Sequence, residues 1–390
     1  MRVWTLFLLL TCVEAAQPAQ GAEMPAVYAA IDRAVEEEIR AGHLPGAVVL
    51  LGERDRVVYR RAFGARALQP VRLPMTADTI FDLASLTKVL ATTTAVMQLI
   101  EAGRIALDDR LSRHWPAFGR NGKAGITVRQ LLTHTSGLRP DLDLAHPWSG
   151  SAAALARIED ERPCAAPGTR FIYSDINFIA LGELVGRLGG EPLDRYAARH
   201  IFGPLGMRDT YFRPPPSARA RIAPTDVQAR VLRWGEVQDP TAHRMHGVAG
   251  HAGLFGTADD LARFAQMLLD GGMRHGQRIL SPASVRRMTL PERLPGGVRR
   301  GLGWDIASAF AGDQDRAFGL ASFGHTGYSG TSLWIDPEHG RYLIILTSRL
   351  HPDGRGDVRP LRRRLAALMA GAAPSPVLTG IDVLHAKARP

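Results

Sequence analysis

Phe81-Asp82-Leu83-Ala84-Ser85-Leu86-Thr87-Lys88 opens a run in which Val89, Leu90, Ala95, Val96, Leu99 and Ile100 keep helical spacing up to Gly103. The serine therefore falls at or near a helix N-terminus, where free N–H groups and the helix dipole favour negative charge. Positions i and i+3 of a helix lie on one face, so Lys88 stands beside Ser85. The chain is basic throughout yet nearly without lysine. Only Lys88, Lys123 and Lys387 occur among its 48 basic side chains. Arginine keeps its proton in proteins, whereas a buried lysine can give one up. A lysine three residues after a serine suits a nucleophile with a proton acceptor. Burial is expected to lower the affinity of Lys88 for its proton, because desolvation disfavours the charged form.

The N-terminus reads as an export signal over residues 1–22. Arg2 precedes the apolar run Val3 to Val13, and small residues from Ala15 to Ala22 offer cleavage after Gly21 or Ala22. That run is short for a membrane-spanning helix, and no second span follows. Leu9-Leu10-Thr11-Cys12 is a poor lipoprotein signal, so a periplasmic or secreted protein is expected rather than a lipid-anchored one. Cys164 then stays alone and reads as a filler thiol. The rest, about 365 residues, favours two packed regions within a domain over 23–370. Residues 371–390 read as a linker and tail. A net charge of +10 invites a nucleic-acid reading. The arginines are scattered, however, with no aromatic-basic recognition motif, so no nucleic-acid partner is expected. Attraction to an anionic envelope polymer accounts for the charge more simply. Arg362-Arg363-Arg364 reads as the solvated face of a terminal helix.

Val27 to Ala41 has helical spacing, and Ala47 to Gly52 with Val57 to Tyr59 read as two strands. Ser332 to Asp336 and Arg341 to Thr347 flank Pro337-Glu338-His339-Gly340, a hairpin signal. Helical segments dominate between them: Ser85 to Glu101, Thr127 to Thr133, Phe178 to Leu188, Leu193 to His200 and Ala258 to Gly271. An α+β architecture follows. Both chain ends build an antiparallel sheet flanked by helices, and a mostly helical region is inserted between them.

Two further segments carry chemistry. Tyr173 in Phe171-Ile172-Tyr173-Ser174-Asp175 lies near a loop-to-helix junction, where a phenol beside positive charge can exchange protons. Gly324-His325-Thr326-Gly327-Tyr328 precedes the hairpin, and its glycines would let substrate backbone pair with a strand edge. His325 and Thr326 offer contacts for a carboxylate or carbonyl. No H-E-x-x-H, paired C-x-x-C, phosphate loop or dinucleotide fingerprint occurs, so neither metal nor cofactor is expected.

These three segments, in this order, resemble the serine β-lactamase and penicillin-binding protein superfamily, in its class C β-lactamase-like branch. Leu131 to Leu138, Pro204 to Met207, Gly250 to Leu254 and Gly301 to Trp304 extend the resemblance over Met24 to Met369. It implies Ser85 as acylated nucleophile, Lys88 as proton acceptor and Tyr173 as proton shuttle. The oxyanion hole would be the N–H groups of Ser85 and Tyr328. Asp175, His325, Thr326 and Gly327 would bind substrate. Two positions depart from the pattern. Asp175 stands where asparagine is usual, and an acceptor thus replaces a donor-acceptor. His325 stands where β-lactamases of the branch carry lysine, and its charge would vary with pH. Both departures argue against an efficient β-lactamase.

The resemblance implies a serine hydrolase acting on D-Ala-D-Ala-type peptides. A β-lactamase or carboxylesterase using the same site is the alternative, and a noncatalytic penicillin-binding sensor or scaffold is a rival of another class. The partner expected is a peptidoglycan-derived peptide or a small β-lactam or ester. Val377 to Leu384 resembles the opening of an exo-acting N-acetylmuramidase family, which implies a link to muramidase action.

Overall fold

The computed structural model describes residues 23–228, 231–307, 318–319 and 321–371. The signal reading over 1–22 and the tail from 372, with its muramidase-like stretch, lie outside the described residues.

A nine-stranded antiparallel sheet forms the base. Its spatial order is Glu292–Arg293, Arg299–Arg300, Asp305–Ala307, Phe323–Thr326, Ser332–Asp336, Arg341–Leu346, Gly46–Glu53, Arg56–Ala67 and Leu73–Pro74. The two chain ends meet at its centre, where Val48 opposes Leu346 and Glu53 opposes Arg341. Alternation along these strands divides the apolar side chains between two cores. Val48, Leu50, Ile344 and Leu346 face the larger core, shared with helix Ala258–Leu269. Val49, Leu51, Leu343 and Ile345 face a smaller core closed by helices Glu23–Arg40 and Arg359–Gly371. Each such side chain, fully buried, contributes roughly 2 kcal/mol. The hairpin forms as expected, with Ser332 opposite Ile345 and Asp336 opposite Arg341.

The inserted region is mainly helical but holds a small sheet that periodicity does not reveal. Phe81–Asp82, Leu254–Gly256 and Tyr211–Phe212 pair around the central Leu254–Gly256. Strands of two or three residues are too short for alternation to register. Arg362 departs from its expected place on a solvated face. It is buried and donates to the carbonyls of Gly327 and Thr331.

Lys123 is also buried. Its ammonium donates to the carbonyls of Arg120, Glu159 and Glu161, tying a loop to the C-terminal end of helix Ser151–Asp160. Lys123→Met leaves those carbonyls without their cation. A loss of about 3 kcal/mol is expected in denaturant unfolding, at 1.5–3 for a single charged hydrogen bond and with partial relaxation. An unchanged unfolding midpoint would refute this role.

Candidate active site

Ser85, the nucleophile expected from sequence, sits on a constrained turn. Ala84 adopts φ +46°, a left-handed conformation that non-glycine residues rarely take. Beyond Ser85 the helix opens as a wide π-type turn over Lys88–Thr93 and then becomes α-helical over Thr94–Glu101. Such turns recur at functional sites. Here Thr92 Oγ1 reaches Gly250 O at 2.6 Å and Lys88 Nζ reaches His251 O at 3.2 Å. The Gly250 to Leu254 segment, which extends the family resemblance, thus backs the lysine.

Lys88 Nζ lies 2.8 Å from Ser85 Oγ and 2.7 Å from Asp175 Oδ1, and its side chain is wholly buried. It is hydrogen-bonded to Tyr173 as well. Burial works against the ammonium, but the Asp175 and Tyr173 charges and hydrogen bonds outweigh it, and the Lys88 pKa is raised. The expectation that burial lowers its proton affinity is therefore overturned by Asp175. An ammonium has three protons to share among Ser85 Oγ, His251 O, Asp175 Oδ1 and Tyr173. In that state it occupies a lone pair of Oγ and cannot accept the serine proton.

Tyr173 is enclosed by rings and cations. His134 stacks on it at 4.3 Å between centroids, Lys88 Nζ lies 4.9 Å from its centroid and Arg300 Cζ 5.7 Å. Arg300 is fully buried and paired with Asp305 at 3.2 Å. His134 takes φ +58° and accepts the Ser174 N–H on Nδ1 at 3.0 Å. Neither His134 nor Arg300 stands out from sequence, since a lone histidine or arginine inside a framework motif carries no spacing signal.

His325 is buried in strand Phe323–Thr326 with its Nδ1–H donating to Thr326 O at 2.9 Å. Burial, aided by Arg300 and Lys88, pushes its pKa well below the usual histidine value. It is a neutral group, not the pH-dependent cation expected. Gly327 has a steric reason: a Cβ there would meet Thr331 Oγ1 at 2.2 Å and Leu83 O at 2.8 Å. Tyr328 is exposed. Among the described residues the N–H groups of Ser85 and Tyr328 donate to no other group.

Ser85, Tyr173, His325, Thr326, Gly327 and Tyr328 all line one cavity of about 720 Å³. Arg349, residues 354–359 and Arg362 line it as well, with Arg349 donating to Tyr328 O and Arg362 to Gly327 O. Arg355-Gly356-Asp357 belongs to this lining but carries no motif of its own. No spacing rule links that loop to Ser85.

Behind Asp175 lies a second pair, His251 Nε2 and Asp239 Oδ1 at 2.8 Å. The His251 pKa is raised, burial being outweighed by Asp239, and against its own burial Asp239 falls to about 2 through His251. Ligand atoms of Asp175, Asp239 and His251 come within 4.8 Å of one another. That is close enough for a metal ion, but the Lys88 ammonium already supplies the positive charge there.

A family model described as Beta-lactamase matches residues 31–368. A protein of Escherichia coli (strain K12) named "Putative D-alanyl-D-alanine carboxypeptidase" is 30% identical over 364 residues, covering 82% of each chain. Among solved structures, a penicillin-binding protein homolog from Caulobacter crescentus shares the fold with TM-score 0.72. It has 23% identity and covers 89% of this chain and 98% of its own. EstCE1, a hydrolase with promiscuous acyltransferase activity, gives TM-score 0.70 and 24% identity over 88% and 99% of the two chains. D-alanine carboxypeptidase AmpC from Burkholderia cenocepacia gives 0.71 and 20% over 89% and 99%.

Proposed function

The chain belongs to the beta-lactamase family, and from that premise we propose a serine hydrolase working through an acyl-enzyme on D-Ala-D-Ala-like peptides or related amides and esters. One observation carries the reading. Ser85 Oγ and Tyr173 both meet the buried Lys88 amine, at the edge of one cavity that Ser85, Tyr173 and Tyr328 line.

Ser85 Oγ attacks the substrate carbonyl carbon while a neutral Lys88 takes its proton. The carbonyl oxygen gathers charge between the two N–H groups. When the tetrahedral species collapses, Tyr173 relays the proton from Lys88 to the departing amine, and Ser85 keeps the acyl group. A water then gives its proton back through Tyr173 and Lys88, attacks the ester and frees Ser85. The His325 to Gly327 strand edge aligns the substrate backbone. The neutral His325 leaves the recognition of a carboxylate to the arginines that line the same cavity.

The relative's carboxypeptidase name supports the peptide substrate, and the export reading of residues 1–22 supports action in the envelope. Among the described residues no helix is long and apolar enough to cross a membrane.

Fluorescent penicillin, p-nitrophenyl esters and D-Ala-D-Ala peptides test the proposal together. Labelling of the wild type and its complete loss in Ser85→Ala is the expected result. A wild type that is neither labelled nor hydrolytic would make the chain a binding scaffold.

A further inference from the structure

The turn that presents Ser85 is held by a residue that the chemistry above does not use. Asp82 is buried in the short strand Phe81–Asp82. Its Oδ1 accepts the Ala84 N–H at 2.8 Å and its Oδ2 the Gln238 N–H at 2.7 Å. Ala84 is the left-handed residue before the nucleophile, and Gln238 precedes Asp239, the partner of His251. The Asp82 carbonyl accepts the Ser329 hydroxyl at 2.7 Å, one residue beyond Tyr328. Leu83 O accepts Thr331 Oγ1 at 3.1 Å, which closes the same junction. Asp82 thus touches three segments: the nucleophile turn, the turn carrying the second oxyanion N–H, and the loop behind Lys88 and Asp175.

We propose that Asp82 is a positioning residue whose ionised carboxylate locks the Ser85 turn against the Tyr328 turn and the Gln238–Asp239 loop, and whose protonation loosens the lock. The inference rests on the acyl-enzyme reading above. A carboxylate can accept both N–H bonds, whereas a carboxylic acid turns one of its oxygens into a donor. Left-handed Ala84 persists only while its surroundings over-determine it, so the bond to its N–H is the one that matters most.

The charges around the group are few. Asp239 and Asp226 approach from the neighbouring loop, paired with His251 and Arg233. Arg362 lies beyond the Ser329–Thr331 turn, and Lys88 follows on the nucleophile's own helix. Burial pushes the Asp82 carboxyl up to about 7, with Asp239 and Asp226 adding to it against the two N–H bonds. Because the folded form holds its proton more tightly than an exposed carboxyl, this group subtracts stability as pH rises from about 4 to about 7, and no further above that. The lock is expected to tighten around pH 7, where the folded carboxyl ionises and the stability loss is ending. A brace serving only the fold would move both quantities in one direction.

Asp82→Asn tests this, since an amide keeps one acceptor but sets an NH2 against the other N–H. In the wild type, Ser85 acylation by a p-nitrophenyl ester should show an inflection near pH 7 superposed on the steady climb set by neutral Lys88. Asp82→Asn should keep the climb that Lys88 imposes but lack the inflection, running about tenfold slower at pH 8, within the roughly 10²-fold that a misplaced nucleophile can cost. Its unfolding midpoint should lose the corresponding pH dependence. Asp141→Asn should keep the inflection, because the Asp141 carboxyl, raised by burial to about 6, contacts Thr241 and not Asp82. Ser329→Ala should slow acylation without moving the inflection, which keeps the idea testable if Asp82→Asn does not fold.

Amide hydrogen exchange at Ala84 and Gln238, corrected for intrinsic rates, reads the lock without any substrate. Protection should grow from pH 6 to pH 8 in the wild type and stay low and flat in Asp82→Asn. Equal protection and equal pH profiles in the two proteins would overturn the proposal. A wild type that no ester acylates would sink the hydrolase reading instead, and the exchange result would still decide the role of Asp82.

Discussion

Lys88→Arg is expected to cut Ser85 acylation by about 10³-fold or more, the scale of a lost general base. In the wild type the amine is bound to Ser85 Oγ, Asp175 Oδ1 and His251 O at once. Arginine can keep the charge and several of these bonds. It cannot become neutral in a protein, and so cannot receive the serine proton. The Lys88 side chain is fully buried, so the larger guanidinium could disturb the site for steric reasons. Lys88→Met separates the two effects: it fits the space, removes the charge and should lose acylation to the same degree. Single-turnover acylation with a fluorescent penicillin or a p-nitrophenyl ester, run beside thermal unfolding of each variant, gives the answer. A folded Lys88→Arg protein acylating within tenfold of the wild type would remove Lys88 from the proton-accepting role.

Scarcity of lysine drew attention to position 88, and Lys123 shows where that logic stops. Both are buried. One meets a serine and a carboxylate, while the other meets only carbonyls and serves the fold. The serine three residues earlier is what told them apart. The sheet was legible for a similar reason. Val48 to Leu51 and Leu343 to Leu346 are apolar on both faces, and the hairpin at Pro337 to Gly340 has its own turn chemistry. The back of the site was not legible, because Asp82, His134, Asp239, His251 and Arg300 come from separate segments that no periodicity links. Their role lies in charges placed by tertiary packing. That is also why the sign of the Lys88 shift was missed: burial can be read from an apolar run, but a carboxylate 2.7 Å away cannot.

That carboxylate leads to the second large effect. Asp175→Asn should move the acylation limb of the pH profile toward acid and speed acylation at neutral pH. Only neutral Lys88 can accept the serine proton. With Asp175 and Tyr173 holding its pKa above the usual lysine value, the neutral fraction at pH 7 is very small. It grows about tenfold with each pH unit below that pKa, so wild-type acylation should still be climbing at pH 9. An asparagine removes the charge at 2.7 Å and leaves burial, the term that lowers the Lys88 pKa. An opposite charge this close is commonly worth about 1–3 units, so a gain of about ten- to a thousandfold at pH 7 is expected if the geometry holds. Asp175→Glu retains the charge and should keep the alkaline limb, which guards against reading a packing change as an electrostatic one. Stopped-flow acylation from pH 6 to pH 10 measures all three proteins. An unmoved limb would mean that Asp175 does not set the Lys88 proton affinity. A rate that falls at every pH would mean that Asp175 takes part in carrying the serine proton away, because removing a mere counter-ion can only enlarge the neutral fraction of Lys88.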